Sequence, residues 1–349
     1  METKRSYSAP AEQVKGNYLF TRTGVAGDYE GSESRRRRGV EVADVVVIGS
    51  GSAALAATLS LARMNIDVMV VSAGNRRNEV SESMHGYLGH DGASPGSFYS
   101  SALDQLTRYP TVSIRSAEIT GADGTLDRFV ARSADAEFSA RRLLVATGVE
   151  DLLPAIDGLA GQWGTGVLHC VYCHGWEVRG RSVAVLASDG RLPVGVAMRL
   201  AWLGCEVTLF TDSDEPIAPH TAKALRALEI ATRSGRIVSV TAARGTQLVH
   251  TAAGSHPVDV TFVQPVPRPR AELAVSLGCE LTSDGRVKVD AQGRTTVTGV
   301  YAAGDVARVD DHPPAGNVTA AATAGYHTGI AVFNDIWDAD TQRRINQDG

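Results

Sequence analysis

Residues 45–54 read Val45-Val46-Val47-Ile48-Gly49-Ser50-Gly51-Ser52-Ala53-Ala54. Four consecutive apolar, mostly β-branched residues predict a strand buried on both faces. The glycines predict a tight turn, and the Ala/Leu-rich stretch Leu55–Arg63 predicts a helix. A second apolar run, Val68–Val71, completes a strand–turn–helix–strand unit. In Gly49-x-Gly51-x-x-Ala54, Gly49 permits the turn and Gly51 lets backbone approach a pyrophosphate. Ala54 allows close helix–strand packing, and the helix N-terminus offers a favourable dipole. A dinucleotide held by Gly49, Ser50, Gly51, Ser52, Ala53 and Ala54 is expected. The second strand ends in Ser72, where an acidic residue usually binds the ribose, so ribose recognition is expected to weaken or to shift to Asn75, Arg77 or Asn78.

The second half repeats the theme. Ser182–Leu186 reads as strand, Val194–Leu203 as helix and Val207–Phe210 as strand. Between the two units lie a strand at Arg142–Thr147, a turn at Gly148 and a loop through Pro154. A strand at Val258–Val263 precedes a Pro-rich turn, Pro265–Pro269. Val300–Ala303 leads into Gly304-Asp305, and a last helix is expected over Val318–Ile336. The chain is therefore read as α/β with two dinucleotide-binding, three-layer Rossmann-type domains. A length of 349 residues suits that count. Residues 41–155 and 288–349 are expected to form the first domain and 156–287 the second.

A net charge of −5 provides no broad field for nucleic acid or an anionic membrane. Residues 1–40 carry eight Lys/Arg and five Asp/Glu, including the run Arg35–Arg38, and read as a solvated, disordered leader. No apolar run approaches membrane-spanning length, and Met1–Pro10 lacks the apolar core of a signal peptide. A cytoplasmic protein with no membrane and no nucleic-acid partner is expected.

Of four cysteines only one pair is close, in His169-Cys170-Val171-Tyr172-Cys173-His174-Gly175-Trp176-Glu177. Two cysteines at i and i+3 can close a small disulfide, a helix N-terminus stabilises a thiolate, and a neighbouring imidazole can move a proton at neutral pH. Cys-x-x-Cys-His also spells a c-type haem attachment site, but that chemistry normally accompanies export. Zinc would need a second ligand pair, and Cys205 and Cys279 stand alone in apolar surroundings, so no metal is expected. A structural disulfide is disfavoured in a cytosolic chain, which leaves a redox-active pair. His85, His90 and His312 read more simply as surface or turn histidines than as catalysts.

Four further segments identify a resemblance. Leu144–Gly148 resembles the Ala-Thr-Gly segment of two-dinucleotide flavoproteins, here Ala146, Thr147 and Gly148. Thr298–Asp305 resembles their second flavin motif, in which the residues matching Gly304 and Asp305 meet the ribityl chain. Asn317, Val318 and Thr319 match a helix N-terminus that faces the flavin pyrimidine, and Met84–Asp91, with His85, matches a loop that crosses the isoalloxazine. Over residues 43–336 the chain is similar to the thioredoxin reductase-like flavoproteins. The resemblance implies FAD in the first site and a homodimer. It also implies that Cys173 faces the flavin, that Cys170 exchanges with substrate, and that His174 or His169 is the acid/base.

The second nucleotide fold departs from that family. After Ser182–Leu186 the chain reads Ala187-Ser188-Asp189-Gly190-Arg191-Leu192-Pro193, without the close-approach glycines. Asp189 would put a negative charge near a pyrophosphate. Where thioredoxin reductases carry arginines for the 2′-phosphate, this chain has Thr211-Asp212-Ser213-Asp214-Glu215. Loss of the nicotinamide site with retention of Cys-x-x-Cys-His-Gly-Trp-Glu resembles the dithiol oxidases of gliotoxin-, holomycin- and romidepsin-type pathways. That resemblance implies oxidation of a small natural-product dithiol, with dioxygen reduced to hydrogen peroxide. The competing expectations are a disulfide reductase driven by NAD(P)H or ferredoxin, and a non-enzymatic flavoprotein sensor whose leader binds a partner.

Overall fold

The computed structural model describes residues 40–347 except 244, 311 and 313–315; the basic leader with Arg35–Arg38 lies outside the described residues. Strand β1 (Val40–Ile48) runs through the middle of a seven-stranded sheet, parallel to β2 (Val68–Ser72) on one side and to β3 (Glu137–Val145) on the other. Val112–Ser116 extends the sheet beyond β2, and the hairpin Gly121–Thr125/Arg128–Arg132 extends it antiparallel beyond β3. Val300–Ala302, from far along the chain, also pairs with β3 in parallel. Successive side chains of β1 divide between the two faces. Val45 and Val47 join Ala54, Ala57 and Leu61 of helix α1 (Ser52–Arg63), whereas Val46 and Ile48 join Phe129, Phe138 and Val300 opposite. The apolar run is thus a strand covered on both sides. Helix α2 (Pro95–Leu106), capped by Ser94, packs Tyr99 and Leu106 against Leu55 of α1.

A second, all-parallel sheet has the order Ala231–Arg233, β5 (Glu206–Phe210), β4 (Ser182–Leu186), Val260–Val263, Val167–Leu168. Here Val183 and Val185 face one core, and Ala184 and Leu186 the other. The short helix α3 (Val171–His174) follows Val167–Leu168, and α4 (Val194–Trp202) connects β4 to β5. The final helix α5 (Val318–Gln347) lies against α1 through glycines. A β-carbon on Gly325 would strike the Ala53 carbonyl, and one on Gly329 the Ser60 hydroxyl and the Ala57 backbone. Among the described residues no helix is long and apolar enough to cross a membrane.

Three sequence expectations change. Pro265–Pro269 is not a turn: Val266–Pro269 is a strand paired antiparallel with Val149–Leu152, which was read as loop. Proline is tolerated there because a two-stranded ribbon leaves one side of each strand without a partner. Val258–Val263 divides at Asp259, whose carboxylate accepts from both the Ser182 N–H and hydroxyl; Val258 ends an antiparallel three-stranded sheet and Val260 starts the parallel strand. The last helix runs eleven residues past Ile336, to Gln347. Its extension carries Asp340, which pairs with Arg141 at 2.5 Å, an anchor invisible to apolar periodicity.

The α1–α5 contact yields a stability prediction. Gly325→Val should cost roughly 1–3 kcal/mol by overpacking against backbone that cannot retreat. Gly161→Ala, where nothing lies within 4 Å, should change little. Urea unfolding followed by circular dichroism measures both.

Candidate active site

The carboxyl ends of β1 and β3 open onto a long cleft that both sheets line. The glycine loop forms its floor. Gly49 has φ +122°, and a β-carbon there would collide with the Ala146 carbonyl, so only glycine lets the two strand ends meet. Gly51 is the N-cap of α1 with no side-chain cap and no acid in the first turn, and nothing lies within 4 Å of its missing β-carbon. The N–H donors of the first turn are therefore open to a ligand.

Most expected site residues line this one cleft: Gly49, Ser50, Gly51, Ser52 and Ala53; Arg77, Asn78 and His85; Ala146, Thr147 and Gly148; Gly304, Asp305, Asn317 and Val318; and Cys173, His169 and His174. Ala54 does not reach it; fully buried, it packs α1 on the sheet. Thr319 also lies outside the lining, where its hydroxyl donates to the Gly86 carbonyl at 2.8 Å and ties α5 to the loop carrying His85. Ser72 bonds the Ser50 hydroxyl at 2.9 Å and accepts from the Gly74 N–H at 3.1 Å. Arg77 does not serve the Ser72 end: its guanidinium forks onto Asp151 at 2.7 and 2.8 Å and reaches Asp305 at 2.8 Å. Burial alone would lower the Arg77 pKa, but these two carboxylates raise it.

The sequence reading missed several lining residues, among them Arg76, Tyr99, Asp151, Trp163 and Arg270. Asp151, three residues past Gly148, and Arg76, beside Arg77, were charged residues next to motifs and could have been flagged. Tyr99 and Trp163 come from segments with no motif, so no local signal marked them.

The cleft suits a flavin dinucleotide on its own chemistry. Asp305 Oδ1 and Asn78 Nδ2 are buried without a protein partner, one an acceptor and one a donor, on a wall that also offers open helix N–H groups. Such atoms are costly unless a ligand satisfies them.

On the wall formed by the second sheet sits a disulfide between Cys170 and Cys173. Cys170 is the N-cap of α3, and its sulfur accepts the Cys173 N–H at 3.1 Å, an amide that would receive thiolate charge. Cys173 lines the cleft and Cys170 does not. His174 also lines it, edge-on to His85 at 6.4 Å. Burial pushes the His174 pKa down, with the Glu177 carboxylate opposing and His85 adding to the fall. His169 stacks on Trp163 at 5.2 Å. Burial, then the Arg77 charge, holds it at about 4. His90 belongs to an aromatic cluster with Tyr87 and Phe98, and His312 is exposed. Cys205 and Cys279 are buried free thiols, and among the described residues no His/Cys/Asp/Glu group could hold a metal.

A dinucleotide cleft with a disulfide on its wall, at the strand ends of two Rossmann-type sheets, defines a disulfide oxidoreductase built on two nucleotide folds. The pyridine nucleotide-disulphide oxidoreductase family model matches residues 43–327, and the chain belongs to that family, whose members are flavoproteins. It is similar to thioredoxin reductase tcpT of Claviceps purpurea, 34% identical over 277 residues (76% of this chain, 86% of the relative). Thioredoxin reductase sirT of Leptosphaeria maculans is 31% identical over 324 residues (86% of this chain, 96% of the relative). Among solved structures, HlmI aligns with a TM-score of 0.79 at 32% identity, covering 87% of this chain and 96% of that one. An oxidoreductase from Agrobacterium tumefaciens aligns with a TM-score of 0.77 at 34% identity, covering 84% and 98%. The thioredoxin reductase-like resemblance and the two-nucleotide α/β fold therefore hold, and the chain is an oxidoreductase of that kind.

The depressed histidine predicts an acid-side loss of stability. An unfolded histidine takes its proton near 6.5, whereas folded His169 resists until about 4. The unfolded state thus binds more protons in this window, and stability falls as pH drops from about 6.5 towards 4. His169→Gln should flatten the fall, measured as urea midpoints at pH 7 and pH 5. An unchanged slope would contradict the assignment.

Proposed function

We propose that this chain is an FAD-dependent dithiol oxidase that closes an intramolecular disulfide in a small natural-product dithiol, with dioxygen reduced to hydrogen peroxide. In this reading residues 41–155 and 288–349 hold FAD, and 156–287 carry the disulfide on a second nucleotide fold that no longer takes a nicotinamide. The working unit is a homodimer, as the resemblance implies, and its expected location is the cytoplasm.

The observation that carries the reading is the contrast between two helix starts. The first turn of α1 leaves its donors open. At α4, Pro193 has no N–H, the Val194 N–H is taken by the Leu192 carbonyl at 2.8 Å, and the Val196 N–H by the Pro193 carbonyl at 3.1 Å. The preceding turn closes on itself through Ser188 and Arg191, with Asp189 beside it. A second pyrophosphate would find fewer open helix N–H donors there, and a nearby cation, Arg191, is already paired with the Asp189 carboxylate at 3.7 Å, which supports another route for the electrons.

That route is thiol exchange. A substrate thiolate attacks Cys170 Sγ; the protein S–S bond breaks and the electron pair leaves on Cys173. The second substrate thiol, deprotonated, attacks the substrate sulfur of the mixed disulfide and expels Cys170 as thiolate. The cyclic product then carries the new S–S bond, and the protein holds a dithiol. His174, beside Cys173 with its basicity reduced by burial, can take a substrate thiol proton and return it. Asp305 Oδ1 would accept from the ribityl chain, and Asn317 and Val318, which line the cleft at the start of α5, would hold the flavin pyrimidine. FAD, when bound, would supply the acceptor for the dithiol's electron pair and its route to dioxygen.

Anaerobic mixing with a small dithiol, and no nicotinamide, should bleach the flavin, and air should restore its colour with formation of hydrogen peroxide. Cys173→Ser should retain FAD yet lose bleaching by dithiol. Dithiol oxidation at the normal rate by Cys170→Ser/Cys173→Ser would falsify the mechanism. The names of the relatives tcpT and sirT favour a second reading, a thioredoxin reductase. Prompt bleaching by NADPH would support it.

A further inference from the structure

We propose that this chain grips its dinucleotide by the diphosphate instead of the adenosine ribose, with Arg76 as the charged donor and Asn78 as the neutral one. The inference rests on the FAD reading above and extends it to the residues that select the cofactor.

The usual ribose contact is absent at the end of β2. A carboxylate there could accept both hydroxyls of a ribose diol. Ser72 offers one hydroxyl, already committed to Ser50 and the Gly74 N–H. Arg76, four residues on, does not extend into solvent. Its side chain is 17% exposed, its Nε donates to the Ser50 carbonyl at 2.8 Å, and its guanidinium lies 4.5 Å from the centre of the Tyr99 ring. Nη1 pairs with Glu79 at 2.6 Å. Three restraints from three segments therefore pin the fork beside the glycine loop, and Nη2 has no partner among the described residues.

Tyr99 joins the two donors. Its hydroxyl, 3.2 Å from the Ser52 hydroxyl, donates to Asn78 Oδ1 at 3.1 Å, which turns the amide so that Nδ2 is left buried and unpartnered on the cleft. The open N–H groups of the first turn of α1 belong to the same stretch of wall. A cationic fork, a buried amide donor and a helix N-terminus together match a dianion that accepts at several oxygens. They do not match a neutral diol, which needs an acceptor.

The test uses the full chain stripped of flavin, titrated with FAD, riboflavin and the FAD analogue bearing 2′-deoxyadenosine, followed by flavin fluorescence. Arg76→Met should weaken FAD by about tenfold or more and reduce the salt dependence of binding, while riboflavin affinity and the melting temperature stay unchanged. Arg76→Lys should recover part of the loss. The deoxy analogue should bind the parent chain within about twofold of FAD. Arg76→Met binding FAD as tightly as the parent, or a loss of about tenfold with the deoxy analogue, overturns the inference while leaving the FAD reading intact. A parent chain that takes up no flavin overturns both.

Discussion

The approach of β1 to β3 at their carboxyl ends sets the rest of the molecule. A β-carbon on Gly49 would strike the Ala146 carbonyl, so the absence of that one atom lets the glycine loop and the Ala146–Gly148 segment share a wall. Once they meet, α1 must leave the loop with its first turn facing the cleft. Gly325 and Gly329 then allow α5 to close on α1, which brings Asn317 and Val318 to the same opening. Each close approach depends on a missing side chain, so the cleft is shaped as much by glycine as by what lines it.

Polar contacts hold the same cleft together. Arg77 links Asp151, on the Val149–Leu152 strand, to Asp305, from the far end of the chain. Its charge helps hold His169 neutral, while the Cys173 N–H in α3 donates to the Cys170 sulfur. The two histidines are therefore not equivalent. His169 is stacked on Trp163 and fixed in its neutral form across the physiological range. His174, next to Cys173 in the chain, lines the cleft with its pKa lowered chiefly by burial.

The parts of the fold legible from sequence were those with a local physical signature. Val45–Ile48 had to be a strand covered on both faces, and each glycine of the loop had a steric reason. The cysteine pair was legible because i, i+3 spacing permits a bond between them. The Val266–Pro269 strand was not legible, since proline argues for a turn unless the partner strand, Val149–Leu152, is already known. The Arg76–Tyr99 contact spans two elements without a shared motif, and the reading chose Arg77 in place of Arg76. Residue type pointed to that segment, and both arginines line the cleft, but which carboxylates, carbonyls and rings each one meets depends on tertiary packing.

The Arg77 bridge has a consequence for the folding path. Its partners lie 74 and 228 residues away in sequence, so three distant segments must arrive before the guanidinium is neutralised. Closing loops of that span costs chain entropy that nothing along the way returns. Until the last segment docks, two carboxylates and a cation are losing water without full compensation. The sheet around β1 also joins distant segments, since β3 pairs both with β1 and with Val300–Ala302, which carries Asp305 just beyond it. A ligand that binds only the finished wall then draws the chain to completion by mass action.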